Sequence, residues 1–106
     1  MNSKVICLDF DNVIYDSSSG YKEELTNAPV EGALRAVRLL SEGGYKVVVQ
    51  TTREDVDQVV SWLAAHGFDK YIPAANVTKE KPIARAYIDD RAIRFTHWDD
   101  ILRYFV

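Results

Sequence analysis

The chain has 106 residues, 47% of them hydrophobic and 27% charged, with 13 Lys and Arg against 16 Asp and Glu. That size and balance predict one globular domain over residues 1–106 and exclude a disordered tail, a collagen-like repeat and a disulfide scaffold. The net charge of −3 disfavours sequence-independent nucleic-acid binding, which needs a basic surface.

The first element is the run Val5-Ile-Cys-Leu8, ending at Asp9. Continuous β-branched and apolar residues predict a strand buried on both faces, as in a parallel sheet. Residues Tyr15 to Asn27 are polar around Ser17-Ser-Ser-Gly20 and read as a loop or small flap. Pro29 is expected to open a helix, with Val30, Ala33, Leu34, Val37 and Leu40 at helical spacing and Gly43-Gly44 as its stop. Lys46 to Gln50 reads as the second buried strand, ending at Thr51. Glu54 to His66 reads as the second helix, with Val56, Val59, Val60 and Leu63 as its stripe and Gly67 as its terminator. Tyr71-Ile72 is a candidate third strand. Ala86-Tyr-Ile88 is a further strand ending at Asp89-Asp90, and Asp99 to Phe105 reads as a short closing helix or strand.

Alternating strands and helices predict an α/β, Rossmann-like domain of three layers, with a mostly parallel sheet and helices on both faces. The apolar runs are far too short to cross a bilayer. No secretory signal is visible, and a single cysteine, Cys7, forms no internal disulfide, so a cytoplasmic location and no membrane partner are expected. Cys7, Trp62, Trp98, Tyr104 and Phe105 read as packing residues. His66, at the end of the second helix before Gly67, reads as a cap for its carbonyls or dipole, and His97 lacks a second ligand at metal spacing.

Ligands of such sheets bind beyond the carboxyl ends of the strands. Three predicted strands end in polar groups: Asp9 and Asp11, Thr51 and Thr52, Asp89 and Asp90. Gathered carboxylates repel one another unless a cation joins them, and hard oxygen donors favour Mg²⁺, which typically also takes substrate phosphate oxygens. A phosphate-handling site with Mg²⁺ follows, with Lys79 or Lys81 supplying a further cation.

Asp9-Phe-Asp-Asn-Val13 after an apolar strand resembles the D-x-D-x-[TV] signature of the haloacid dehalogenase superfamily. Thr51, Lys81 and Asp89-Asp90 follow in the order of that superfamily's remaining motifs, so the resemblance runs from Val5 to about Phe95. It implies a Mg²⁺-dependent phosphomonoester hydrolase. Asp9 would be the nucleophile that forms an aspartyl-phosphate and Asp11 the general acid/base, a carboxyl of raised pKa. Thr51 and Lys81 would bind the transferring phosphoryl group. Asp9, the Asp11 main-chain carbonyl and Asp90 or Asp89 would hold the metal. Lys79 competes with Lys81, and Thr52 with Thr51 unless it caps the following helix. Asn12, Thr52 and Arg53 are candidate substrate contacts; Arg53 and Arg91 either bind a distal anionic group or make surface salt bridges.

Asp9 and Thr51 are too close in sequence for an inserted cap domain, as are Thr51 and Lys81. The resemblance is therefore to a capless (C0-type) minimal member with an open site, compatible with a large phosphorylated substrate or a homo-oligomer that covers it. Tyr15, Tyr21 and Lys22 lie on the polar stretch, which reads either as a solvated flap or as a lid whose residues touch a substrate. Two alternatives remain: a nucleic-acid end phosphatase of the same fold, suggested by the Ile-Asp-Asp-Arg stretch, and a non-catalytic phosphate-binding or receiver-like module.

Overall fold

The computed structural model describes residues 4–89 and 93–105. Five strands, β1 (Val5–Asp9), β2 (Lys46–Gln50), β3 (Val77–Thr78), β4 (Ala86–Asp89) and β5 (Ile93–Arg94), form one sheet in the order β3-β2-β1-β4-β5. Every neighbouring pair is parallel. Three helices are interleaved: α1 (Ala33–Glu42), α2 (Val56–Ala65) and α3 (Trp98–Leu102). The α/β class expected from the alternating pattern is therefore the observed one.

β1 lies at the centre because its run is apolar on both faces: Ile6, Cys7 and Leu8 are all buried. Register pairs Cys7 with Val48 on one side and with Tyr87 on the other. The core joins Ile6, Leu8, Val47, Val49 and Ile88 of the sheet to Ala33, Ala36, Val37 and Leu40 of α1 and Val59, Trp62 and Leu63 of α2. α1 packs on β2 and against α3, and α2 packs against β3.

Four boundaries depart from the sequence reading. The first helix starts at Ala33, not Pro29, because Pro29 bridges Tyr15 and the Val30 amide donates to the Ile14 carbonyl. Those contacts commit both residues to an extended conformation, and Gly32 (φ 82°) makes the turn into the helix. The second helix starts at Val56. Its N-cap is Asp55, whose carboxylate accepts from the Gln58 amide at 3.0 Å, so Thr52 does not cap it. Tyr71-Ile72 is not a strand: Ile72 is a core residue carried by a 3-10 turn over Phe68–Lys70, and β3 comes five residues later. β5, only two residues long, was not anticipated. Among the described residues no helix is long and apolar enough to cross a membrane.

Candidate active site

The sheet order reverses at β1: the chain runs outward from it to β2 and β3, then returns to its other side for β4 and β5. A crevice forms beyond the carboxyl ends of the strands at such a switch point. β1 ends there at Asp9, and β4, paired with β1 up to Leu8 and Ile88, ends beside it at Asp89. Thr51 follows the Gln50 that pairs with Asp9. Asp90 and Arg91 lie outside the described residues.

Beyond β1 the backbone folds tightly. The amides of Val13, Ile14 and Tyr15 all converge on the Phe10 carbonyl, at 3.4, 3.0 and 3.0 Å. Asn12 is the only non-glycine with positive φ (62°) among the described residues, a conformation Asn tolerates better than most side chains. Its side-chain carbonyl accepts from the Ser17 amide at 2.8 Å, so its polar end stabilises the turn. The Asp9 carboxylate accepts from the Phe10 amide at 2.9 Å.

Asp11 is held from across the chain. Arg53, 42 positions away, sends Nε to Asp11 Oδ2 at 3.0 Å and Nη2 to Oδ1 at 2.7 Å, a two-pronged ion pair. Ser17 Oγ donates to the same Oδ1. Thr51 and Arg53 are the buried polar residues among those described, at 1% and 5% exposure. Thr51 is fixed through its amide on the Thr78 carbonyl (2.9 Å) and its hydroxyl, which accepts from the Arg53 amide (3.1 Å). Thr52 is exposed.

Arg53 has partners on all three of its nitrogens. Its Nη1 donates to the carbonyls of Lys22 (2.7 Å) and Glu23 (3.3 Å), and its guanidinium lies 4.5 Å from the Tyr21 ring centroid and 5.5 Å from that of Tyr15. The hydrogen bond with Asp11, and after it the charges of Asp11, Tyr21 and Tyr15, raise the guanidinium pKa above its ordinary range against the opposing pull of burial. Rather than facing outward to bind an anion, Arg53 joins Asp11 to the flap.

The flap spans residues 16–28, on a short antiparallel stem in which the Asp16 amide donates to Ala28 and the Val30 amide to Ile14. Tyr15, considered above as a substrate contact, is buried. Its hydroxyl accepts from the amides of Thr26 and Asn27, both at 3.1 Å. α2 supplies the remaining ties. Gln58 accepts from the Leu25 amide (2.8 Å) and donates to the Glu23 carbonyl (3.0 Å), and Trp62 Nε1 donates to the Asn27 carbonyl (3.1 Å). Under the flap, Phe10 and Tyr15 stack at 5.4 Å and Trp62 meets both edge-on. Sequence reasoning missed Gln58 and Ser17 entirely. Tyr15 was legible as an aromatic at the start of the polar stretch, and Trp62 as a packing aromatic.

The two lysines diverge. Lys79 Nζ pairs with Glu54 at 3.0 Å, toward the β2–α2 connection, whereas Lys81 lies 4.9 Å from the Tyr87 ring centroid, toward the strand that ends at Asp89. The Tyr87 hydroxyl donates to the Pro82 carbonyl and accepts from the Ala84 amide, which orders the segment leading from Lys81 into β4. A cleft of about 200 Å³ opens beside the Asp11–Arg53 pair, lined by Tyr21, Glu23, Arg53, Glu54, Asp55 and Gln58.

The donor set suits a hard cation in kind: the Asp9 carboxylate and the Asp11 main-chain carbonyl stand at the switch point, and no backbone amide among the described residues donates to that carbonyl. Among the described residues no group of three or more His, Cys, Asp or Glu side chains is gathered to hold a metal. The acidic end of β4 would have to complete the set. No known family model, curated protein or solved structure significantly matches the chain.

Proposed function

We propose that the chain is a phosphomonoester hydrolase of the haloacid dehalogenase type, a capless three-layer α/β domain in which α1 and α3 form one layer and α2 the other. The observation that carries this reading is the D-x-D pair, Asp9 and Asp11, at the carboxyl end of the strand where the sheet order reverses, with Thr51 ending one neighbouring strand and Asp89 the other.

In this reading Asp9 Oδ attacks phosphorus, forming an aspartyl-phosphate as the bond to the leaving oxygen breaks. A protonated Asp11 gives its proton to that oxygen, then takes one from the water that attacks phosphorus and regenerates Asp9. For this, one Asp11 oxygen must leave the Arg53 fork. The Thr51 hydroxyl and the Lys81 ammonium bind phosphoryl oxygens. Asp9, the Asp11 main-chain carbonyl and Asp90 or Asp89 would hold Mg²⁺, which would supply positive charge to offset that of the transferring group. With its single cysteine, the chain suits a reducing, cytoplasmic setting.

A specific observation favours a second reading, a phosphate-binding module without turnover: both Asp11 oxygens are engaged by Arg53. Hydrolysis of p-nitrophenyl phosphate by the full chain with Mg²⁺, with EDTA and as Asp9→Asn separates the two. The hydrolase reading expects turnover that is lost in both controls. Folded protein that binds phosphate with Mg²⁺ yet turns nothing over supports the module instead.

A further inference from the structure

Arg53 bridges Asp11 and the middle of the flap. One side of its guanidinium holds Asp11 by two hydrogen bonds; Nη1 holds the flap carbonyls of Lys22 and Glu23, with the exposed Tyr21 ring against it. Burial makes this a joint rather than a surface ion pair. A guanidinium at 5% exposure that loses Asp11 keeps its charge but not its counter-ion, and the flap carbonyls share that disturbance. Ser17 repeats the connection on a smaller scale, its hydroxyl on Asp11 and its amide on Asn12.

We infer that Arg53 is a positioning residue that couples the flap to Asp11, so that the carboxylate is released from its fork as the flap loosens and is locked as the flap closes. Coupling free energies are reciprocal: whatever draws Asp11 away from Arg53 loosens the flap, and whatever lifts the flap frees Asp11. An extended leaving group entering the cleft beside Arg53 would act from the flap side, which gives a capless site a means of sensing its substrate. The acid/base meaning of the released carboxylate rests on the hydrolase reading; the coupling itself does not.

Amide hydrogen exchange of the full chain tests the coupling without requiring activity. The probes are the amides of Leu25, Thr26 and Asn27, which bond to Gln58 and Tyr15 rather than to Arg53. In Asp11→Asn, close to isosteric, these amides should exchange about tenfold faster or more, while β1 and β2 stay protected. Asp9→Asn should leave them at the wild-type rate. Arg53→Ala should accelerate them as well, and millimolar guanidinium should restore part of the protection where the same concentration of sodium chloride does not. Flap exchange unchanged in Asp11→Asn, or accelerated equally in Asp9→Asn, overturns the coupling. A chain that hydrolyses no phosphate ester defeats the hydrolase reading and leaves this result to be judged on exchange alone.

Discussion

Two irregular segments flank the candidate site, and they are held in different ways. The flap, residues 16–28, contains no helix or strand of its own, yet it is tied down by Tyr15, Arg53, Gln58 and Trp62 through backbone groups on five of its residues, Lys22, Glu23, Leu25, Thr26 and Asn27. The segment from Lys79 to Arg85 is as irregular, but its main ties are the Tyr87 hydroxyl, the Gln50 side chain on the Lys79 carbonyl and the Arg85 amide on Val5. Regular structure does not decide which loop is rigid. The difference lies in the anchoring side chains: the flap has the buried Tyr15, Arg53 and Trp62 beside the half-buried Gln58, whereas Tyr87 and Gln50 on the other segment are both half-buried.

The sharpest way to break this comparison is Trp62→Ala. It removes a ring packed against Phe10, Tyr15 and Phe68 together with the donor to Asn27, and should cost about 3–5 kcal/mol in denaturant unfolding. Arg53→Leu should come next, at about 2–3 kcal/mol, because it strands the flap carbonyls and leaves Asp11, whose side chain is 28% exposed, without its counter-ion. On the other segment Tyr87→Phe deletes only a hydroxyl. It should cost about 1 kcal/mol and, if Lys81 binds the phosphoryl group, raise KM for a phosphate ester more than the stability loss would suggest. A Tyr87→Phe loss equal to that of Trp62→Ala would remove the distinction between the segments.

The smallest effect concerns pH. Hydrogen bonds from the Ser18 side chain and then its amide hold the Asp16 carboxyl below its ordinary range, against a slight opposing effect of burial. A group depressed in the folded state contributes stability above its unfolded pKa and loses it as pH falls through the folded value. Protection of the amides at the flap's entry turn, relative to their intrinsic exchange rates, should therefore fall on acidification below the ordinary carboxylate range, and Asp16→Asn should abolish that dependence. An Asp16→Asn variant that retains the same acid response would assign it to another group.

Central features were legible in the sequence where a signal was local and periodic. Lys46–Gln50 is the strand its three valines announce, Gly67 (φ 84°) ends the turn after α2, and the polar residues following the apolar runs fall at one edge of a parallel sheet. Ile72 misled because burial and strand formation are separate properties, and a 3-10 turn satisfied the first without the second. β3 and β5 have two residues each, too few to show a period. The fork on Asp11 had no local trace, since its two halves lie 42 positions apart and nothing beside Arg53 distinguishes it from a surface arginine. Separation in sequence also hid Gln58, which lies 33 positions from the amide it receives.

The central position of β1 also fixes when the site can exist. Its partner β2 follows it after one helix, but its other neighbour, β4, comes only after β2, α2 and β3. During synthesis β1 therefore waits with one edge unpaired, and the strand that ends at Asp9 gains its second neighbour only when Ala86–Asp89 emerges. A nascent chain stalled before Ala86 could carry a formed flap and its aromatic underside while β1 still lacked β4, so ordering of the flap and closure of the sheet around β1 are separable events.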